Sequence, residues 1–75
     1  MPEREQLYLV ELGGETKGVA SRPRAESYVH HAIAKIEGTE VAEVERSVTR
    51  VEHPSGEIAL LVEHHAAWLR PVVSL

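Results

Sequence analysis

Five histidines are the side chains in this 75-residue sequence that are best suited to chemistry, because imidazole binds metals and exchanges protons near neutral pH. They are His30, His31, His53, His64 and His65. Neighbouring residues point about 100° apart on a helix and to opposite sides of a strand, so neither adjacent pair forms a local ligand set. No HxH, HxxxH or HExxH spacing occurs, and there is no cysteine to complete a zinc site. We therefore expect no metal and no cofactor.

Signatures of catalysis are absent from the sequence. There is no thiol nucleophile, no GxSxG and no P-loop, and Gly13, Gly14 and Gly18 lack the spacing of a dinucleotide fingerprint. Paired carboxylates such as Glu43 and Glu45 need a cleft to become acid–base catalysts, and a chain of this size has little material for one. The prediction is a protein that is not an enzyme.

Glutamates are the other prominent group, because all twelve acidic residues are Glu and the net charge is −4. Residues 1–35 carry equal numbers of acidic and basic side chains, whereas residues 36–63 carry seven glutamates against two arginines. Carboxylates held together attract basic protein surfaces and repel phosphates. We therefore predict a protein partner with a basic surface and no direct contact with nucleic acid; the alternative is an ordinary solvated face. The predicted contact residues are Glu37, Glu40, Glu43, Glu45 and Glu52.

Two elements that must position these groups are indicated clearly. Residues 7–12 and 16–20 are rich in strand formers around a Gly-containing loop, which predicts a hairpin. Apolar residues at helical spacing predict an amphipathic helix over about residues 22–37. Ser21 is its predicted N-cap, and Gly38 stands where a left-handed residue ends a helix.

Residues 39–53 are ambiguous, because their valines recur at the three- and four-residue spacing of a helix while their Val and Thr content favours a strand. The turn signal at residues 54–56 and the apolar run at residues 57–63 predict a hairpin. We therefore expect residues 39–53 to be a strand, with a bulge near residues 45–46 that resets its alternation.

The predicted fold is α+β with the order ββαββ, in which one antiparallel sheet carries a single amphipathic helix on one face. On this sheet Glu43 and Glu45 project from the same face. Residues 1–75 form one domain, and the apolar tail at residues 66–75 covers the sheet or contacts a partner. Trp68 is the predicted contact residue of this tail, because Trp is enriched at interface hot spots.

A family resemblance runs over residues 7–45. The strand at residues 8–10 (Tyr-Leu-Val), the segment at residues 17–21 (Lys-Gly-Val-Ala-Ser) and the helix with residues 28–32 (Tyr-Val-His-His-Ala) resemble small phage- and plasmid-encoded ββαββ proteins of the anti-CRISPR type. The resemblance implies a non-catalytic inhibitor from a mobile element that blocks a CRISPR-effector-like partner with a basic, nucleic-acid-binding surface. It implies that acidic residues placed where phosphates would sit make the contact, a role that falls here to Glu40, Glu43, Glu45 and Glu52.

Other functions stay open at this point. One alternative is a structural domain that dimerises through the C-terminal tail, and another is a small DNA-binding regulator that uses Arg22 and Arg24. The apolar runs are too short to cross a bilayer, and the polar N-terminus does not resemble a secretory signal. We therefore expect no membrane contact and a location in the cytoplasm of the host cell.

Overall fold

The computed structural model of this protein describes residues 6–72 and has an α+β fold. The elements in chain order are β1 (Leu7–Leu12), β2 (Glu15–Ser21), α1 (Arg22–Glu37), α2 (Val41–Ser47), β3 (Thr49–Glu52), β4 (Ile58–Val62) and β5 (His65–Pro71). The five strands form one antiparallel sheet in the order β2-β1-β5-β4-β3. The predicted class and the single antiparallel sheet are confirmed. The order ββαββ with a single helix is wrong, because a second helix and a fifth strand are present.

The strand β5 lies at the centre of the sheet, between β1 and β4. It pairs with β1 from Pro71 opposite Tyr8 to Ala67 opposite Leu12. Residues 66–71 of the tail that was expected to cover the sheet or a partner belong to this strand, which joins the N-terminal hairpin to the C-terminal strands. Residues 73–75 lie outside the described part of the chain.

The helix α1 coincides with the helix expected at residues 22–37. Ser21 is its N-cap residue, and the helix ends at Gly38, whose φ of 72° is left-handed. The backbone N–H of Gly38 donates to the carbonyl of Ala34, and the N–H of Thr39 donates to the same oxygen at 3.0 Å. These two bonds satisfy a carbonyl group near the end of the helix, where carbonyl acceptors tend to lack hydrogen-bond partners.

The segment expected to be a strand with a bulge is instead the helix α2 followed by the short strand β3. Val44 is buried, and Val41 and Val48 pack against the core from either side of it. Their helical spacing is the signal that decides the local structure, because burying Val44 and partly burying Val41 and Val48 outweighs the strand preference of their type. Glu43 and Glu45 are therefore about 200° apart around a helix and do not share a face.

The hydrophobic core lies between the two helices and one face of the sheet. Its largest fully buried side chains are Ile33, Ile58, Leu60, Leu69 and Val29. The other face of the sheet is not covered by either helix of the described chain, and it provides the surface considered next.

Candidate binding surface

The register of the sheet assigns each side chain to one of its two faces, because successive residues of a strand alternate and directly paired residues share a side. Val10 is paired with Leu69, and both are in the core, so their strand neighbours point away from the helices. We refer to this uncovered side as the open face. Its residues include Leu7, Leu9, Glu11, Val19, Val51, Ala59, Leu61, Ala66, Trp68 and Arg70.

The open face is unusually apolar for a surface in contact with water. Four of its large apolar side chains are exposed: Leu7 by 44%, Val19 by 52%, Val51 by 40% and Leu61 by 40%. Single exposed apolar residues are ordinary, but a contiguous apolar patch commonly marks an interaction site. The four exposed side chains lie in two groups, one on the hairpin of β1 and β2 and the other on β3 and β4, on either side of the central strand β5.

Trp68 lies at the centre of the open face, on the central strand. Ala59 is directly opposite it in the register and is only 4% exposed, although it points away from the helices. The guanidinium carbon of Arg70 lies 5.4 Å from the centre of the Trp68 ring, and the His53 ring lies 5.4 Å from it at a tilt of 34°. Stacking from two neighbours holds the indole in a fixed position.

Arg70 is held by two glutamates from neighbouring parts of the sheet. Its Nε donates to Oε1 of Glu11 at 3.1 Å, and its Nη2 lies 3.0 Å from the same oxygen. Its Nη1 donates to Oε2 of Glu57. The hydrogen bonds to Glu11 and Glu57 raise the pKa of Arg70 above its ordinary value, and the bond to Glu11 has the larger effect. This Glu11–Arg70–Glu57 cluster fixes the cation beside Trp68.

The sequence analysis missed this cluster, although a signal was present. Glu11 is the only charged residue of the strand at residues 7–12, and Arg70 is the only one in the apolar tail. A lone charge inside an apolar strand marks the side that faces away from the core. What the sequence did not indicate is that these two residues, 59 positions apart, belong to adjacent strands.

The predicted acidic contact residues lie away from the open face and do not form one surface. Glu37 ends α1, and its Oε2 lies 2.7 Å from Nε2 of His65. Glu52 lies on the edge strand β3, where its Oε2 is 3.6 Å from Nη2 of Arg50. Glu40 precedes α2, where its backbone carbonyl accepts the first hydrogen bonds of that helix.

One small depression of the helical layer is nevertheless lined by three glutamates. Glu37, Glu43 and Glu63 line a depression of about 70 Å³ between α1, α2 and the turn after β4. We refer to these three residues as the acidic depression. Two of its members were predicted contact residues, and Glu63 is one that the sequence analysis did not single out.

The histidines are distributed over the molecule. His30 Nδ1 lies 3.9 Å from Oε2 of Glu45. Within residues 6–72 no group of three or more His and Glu side chains is arranged to hold a metal ion.

Two basic residues, Lys17 on β2 and Arg22 at the start of α1, have acidic partners. Nζ of Lys17 donates to Glu15 at 2.7 Å, which lowers the pKa of the glutamate and raises that of the lysine. Arg22 Nε lies 3.8 Å from Oε2 of Glu26, one helical turn away. The charge of Arg22, a predicted contact of the alternative DNA-binding regulator, is thus partly neutralised.

Comparisons of the chain with protein-family models, curated proteins and solved structures gave no match. The anti-CRISPR resemblance therefore remains a hypothesis, and function has to be argued from the surface itself. Neither helix of the described chain has the length and apolar character needed to span a membrane.

Proposed function

We propose that this chain is a non-catalytic protein-binding module whose contact surface is the open face around Trp68. The observation that carries the proposal is the exposure of four large apolar side chains on a sheet face that neither described helix covers. A typical interface has an apolar centre with an aromatic anchor and a polar surround. The open face has an aromatic anchor, Trp68, at its centre, with the Arg70 cluster beside it and the exposed apolar side chains on both sides of the central strand.

The polar groups of the open face support binding rather than proton transfer. Arg70 is engaged by Glu11 and Glu57 on one side and by the Trp68 ring on the other. A side chain fixed in this way loses little entropy when a partner arrives, so the face is organised before contact. The same pairing leaves these groups hydrogen-bonded when water is excluded.

Site-specific photo-crosslinking tests this proposal. Benzoylphenylalanine in place of Leu61 puts the reactive group on the open face, and the same residue in place of Ile36 gives a matched control. Ile36 is 62% exposed and lies on α1, so its crosslinker is at least as accessible. We expect protein adducts in the cells that produce this chain from position 61 and not from position 36. Equal labelling from the two positions would exclude the open face as a specific contact surface.

A second candidate function involves the acidic depression. Glu37, Glu43 and Glu63 line it, and neighbouring carboxylates speed association with a basic partner. This supports the proposal that the chain, like proteins of the anti-CRISPR type, blocks the nucleic-acid-binding groove of a basic protein. In that case the acidic depression supplies specificity and the open face is a separate surface.

An inhibition assay tests this second candidate. The double variant Glu40→Lys/Glu43→Lys reverses charge beside the acidic depression, whereas Glu52→Lys on the edge strand is the control. We expect the double variant to lose inhibition of target-DNA binding by a susceptible CRISPR effector while the control retains it. Unchanged inhibition by the double variant refutes the electrostatic mechanism.

A further inference from the structure

We infer that the occupant of the open face is a second copy of this chain, packed sheet against sheet in a two-fold symmetric dimer. The inference rests on the proposed function, because it names the partner of the same surface. It differs from dimerisation through a free C-terminal tail, since β5 is the central strand of the sheet.

The size of the open face fits a small dimer interface. Five strands spaced by about 4.8 Å and about six residues that each rise about 3.3 Å give a footprint of about 24 Å by 20 Å. Two such faces bury about 1,000 Å² in total, which is below the range of stable interfaces and at the threshold for weak, transient ones. The interface is thus sufficient for a reversible dimer.

The distribution of charge favours a second copy over a strongly charged partner. The Glu11–Arg70–Glu57 cluster gives the open face a net charge of one negative unit. The acidic depression, by contrast, is on the helical layer, so the only glutamates that come together when the sheets meet are Glu11 and Glu57, which Arg70 bridges in each copy. A face with so little net charge matches another apolar face best.

The apolar residues of the open face form two groups on either side of β5. One belongs to the hairpin of β1 and β2, and the other belongs to β3 and β4. A two-fold axis parallel to β5 places each group of one copy over the opposite group of the other, so both contacts form at once. The strands of the two sheets then lie within about 30° of each other, as in aligned sandwiches. The group on β1 and β2 consists of Leu7, Leu9 and Val19, and the group on β3 and β4 consists of Val51, Ala59 and Leu61.

Sedimentation velocity over a concentration series tests the dimer. The series runs from about 1 μM to about 1 mM, the range of affinity that suits a small interface. We expect the mass to rise from 8.3 kDa toward twice that value, and Leu61→Glu to keep the chain monomeric. Ile36→Glu adds the same charge to the helical layer and is expected to dimerise like the unaltered chain. Val19→Glu, on an edge strand, repeats the test if Leu61→Glu does not fold.

The outcomes separate this inference from the proposed function. A crosslinked adduct from position 61 with twice the mass of the chain supports both. An adduct with a different protein, together with an unaltered chain that stays at 8.3 kDa throughout the series, overturns the second copy and retains the binding function. A dimer that Leu61→Glu leaves intact overturns pairing through the open face. Adducts no stronger than those from position 36 overturn the function as well.

Discussion

Leu69 and Leu61 allow a direct comparison of the two faces of the sheet, because the same substitution can be made on each. Leu69 is fully buried on β5 and points toward the helices, whereas Leu61 is 40% exposed on β4 and points to the open face. We predict that Leu69→Ala destabilises the isolated chain far more than Leu61→Ala. The difference follows from burial alone, since both changes remove the same atoms.

The expected losses in the free energy of unfolding differ several-fold between the two variants. Leu-to-Ala changes in cores cost about 3–5 kcal/mol, because a cavity is added to the lost transfer free energy. For a domain of this size that corresponds to a fall in melting temperature of more than about 12 °C. For Leu61→Ala we expect about 1 kcal/mol, because the side chain is only partly buried and leaves no closed cavity.

Urea unfolding followed by tryptophan fluorescence measures both losses, since Trp68 is the only tryptophan. Measurements at about 1 μM protein keep a weak dimer dissociated, and an unchanged dependence on urea concentration confirms that the two-state comparison is valid. If the two variants lose the same stability at this concentration, the assignment of the faces is wrong. The proposed function and the dimer would then lose their basis.

Three further perturbations test individual features of the structure. Gly38→Ala is expected to cost about 1 kcal/mol in thermal unfolding, because φ is positive at this helix end, and Gly38→Asn is expected to cost less. In this cysteine-free chain, mixing Val19→Cys and Val51→Cys proteins is expected to give disulfide-linked dimers faster than either variant alone. Equal rates contradict an axis parallel to β5. Arg70→Gln is expected to increase acrylamide quenching of Trp68 with unchanged circular dichroism, since the guanidinium no longer covers the ring; unchanged quenching shows that Arg70 does not shield it.

The helix α1 could be predicted from the sequence because every signal for it is local. Ser21 precedes it, Gly38 follows it, and the apolar spacing between them spans four turns. The turn at residues 54–56 is confirmed for the same reason, since His53 and Gly56 close it with backbone hydrogen bonds to residues within four positions. Such features depend little on the rest of the chain.

The helix α2 was missed because its stability comes from distant contacts. Val44 is 4% exposed only because the segment packs on α1 and the core. Residue preference alone favours a strand here, and the competing helical spacing has meaning only once a surface exists for it to face. The predicted shared face of Glu43 and Glu45 was lost with the strand.

Only part of the candidate site could be predicted from the sequence. Trp68 was identified from its residue type, but its position at the centre of the open face depends on the pairing of β5 with β1, which joins opposite ends of the chain. The same pairing brings Arg70 to Glu11. Long-range strand order is set by the total burial that the fold achieves, so short sequence patterns do not specify it.

The acidic depression and the apolar open face lie on different sides of the molecule because a small chain has little material with which to cover a sheet. A sheet has two faces, and in the described chain the two helices pack on the same one. A chain of this size buries roughly 60% of its unfolded surface, so little remains to cover the second face. That face nevertheless carries Leu and Val residues where solvated strands usually alternate with polar ones. Another copy of the chain can supply the covering layer that the described chain lacks, because it carries the same apolar face and is present at the same concentration.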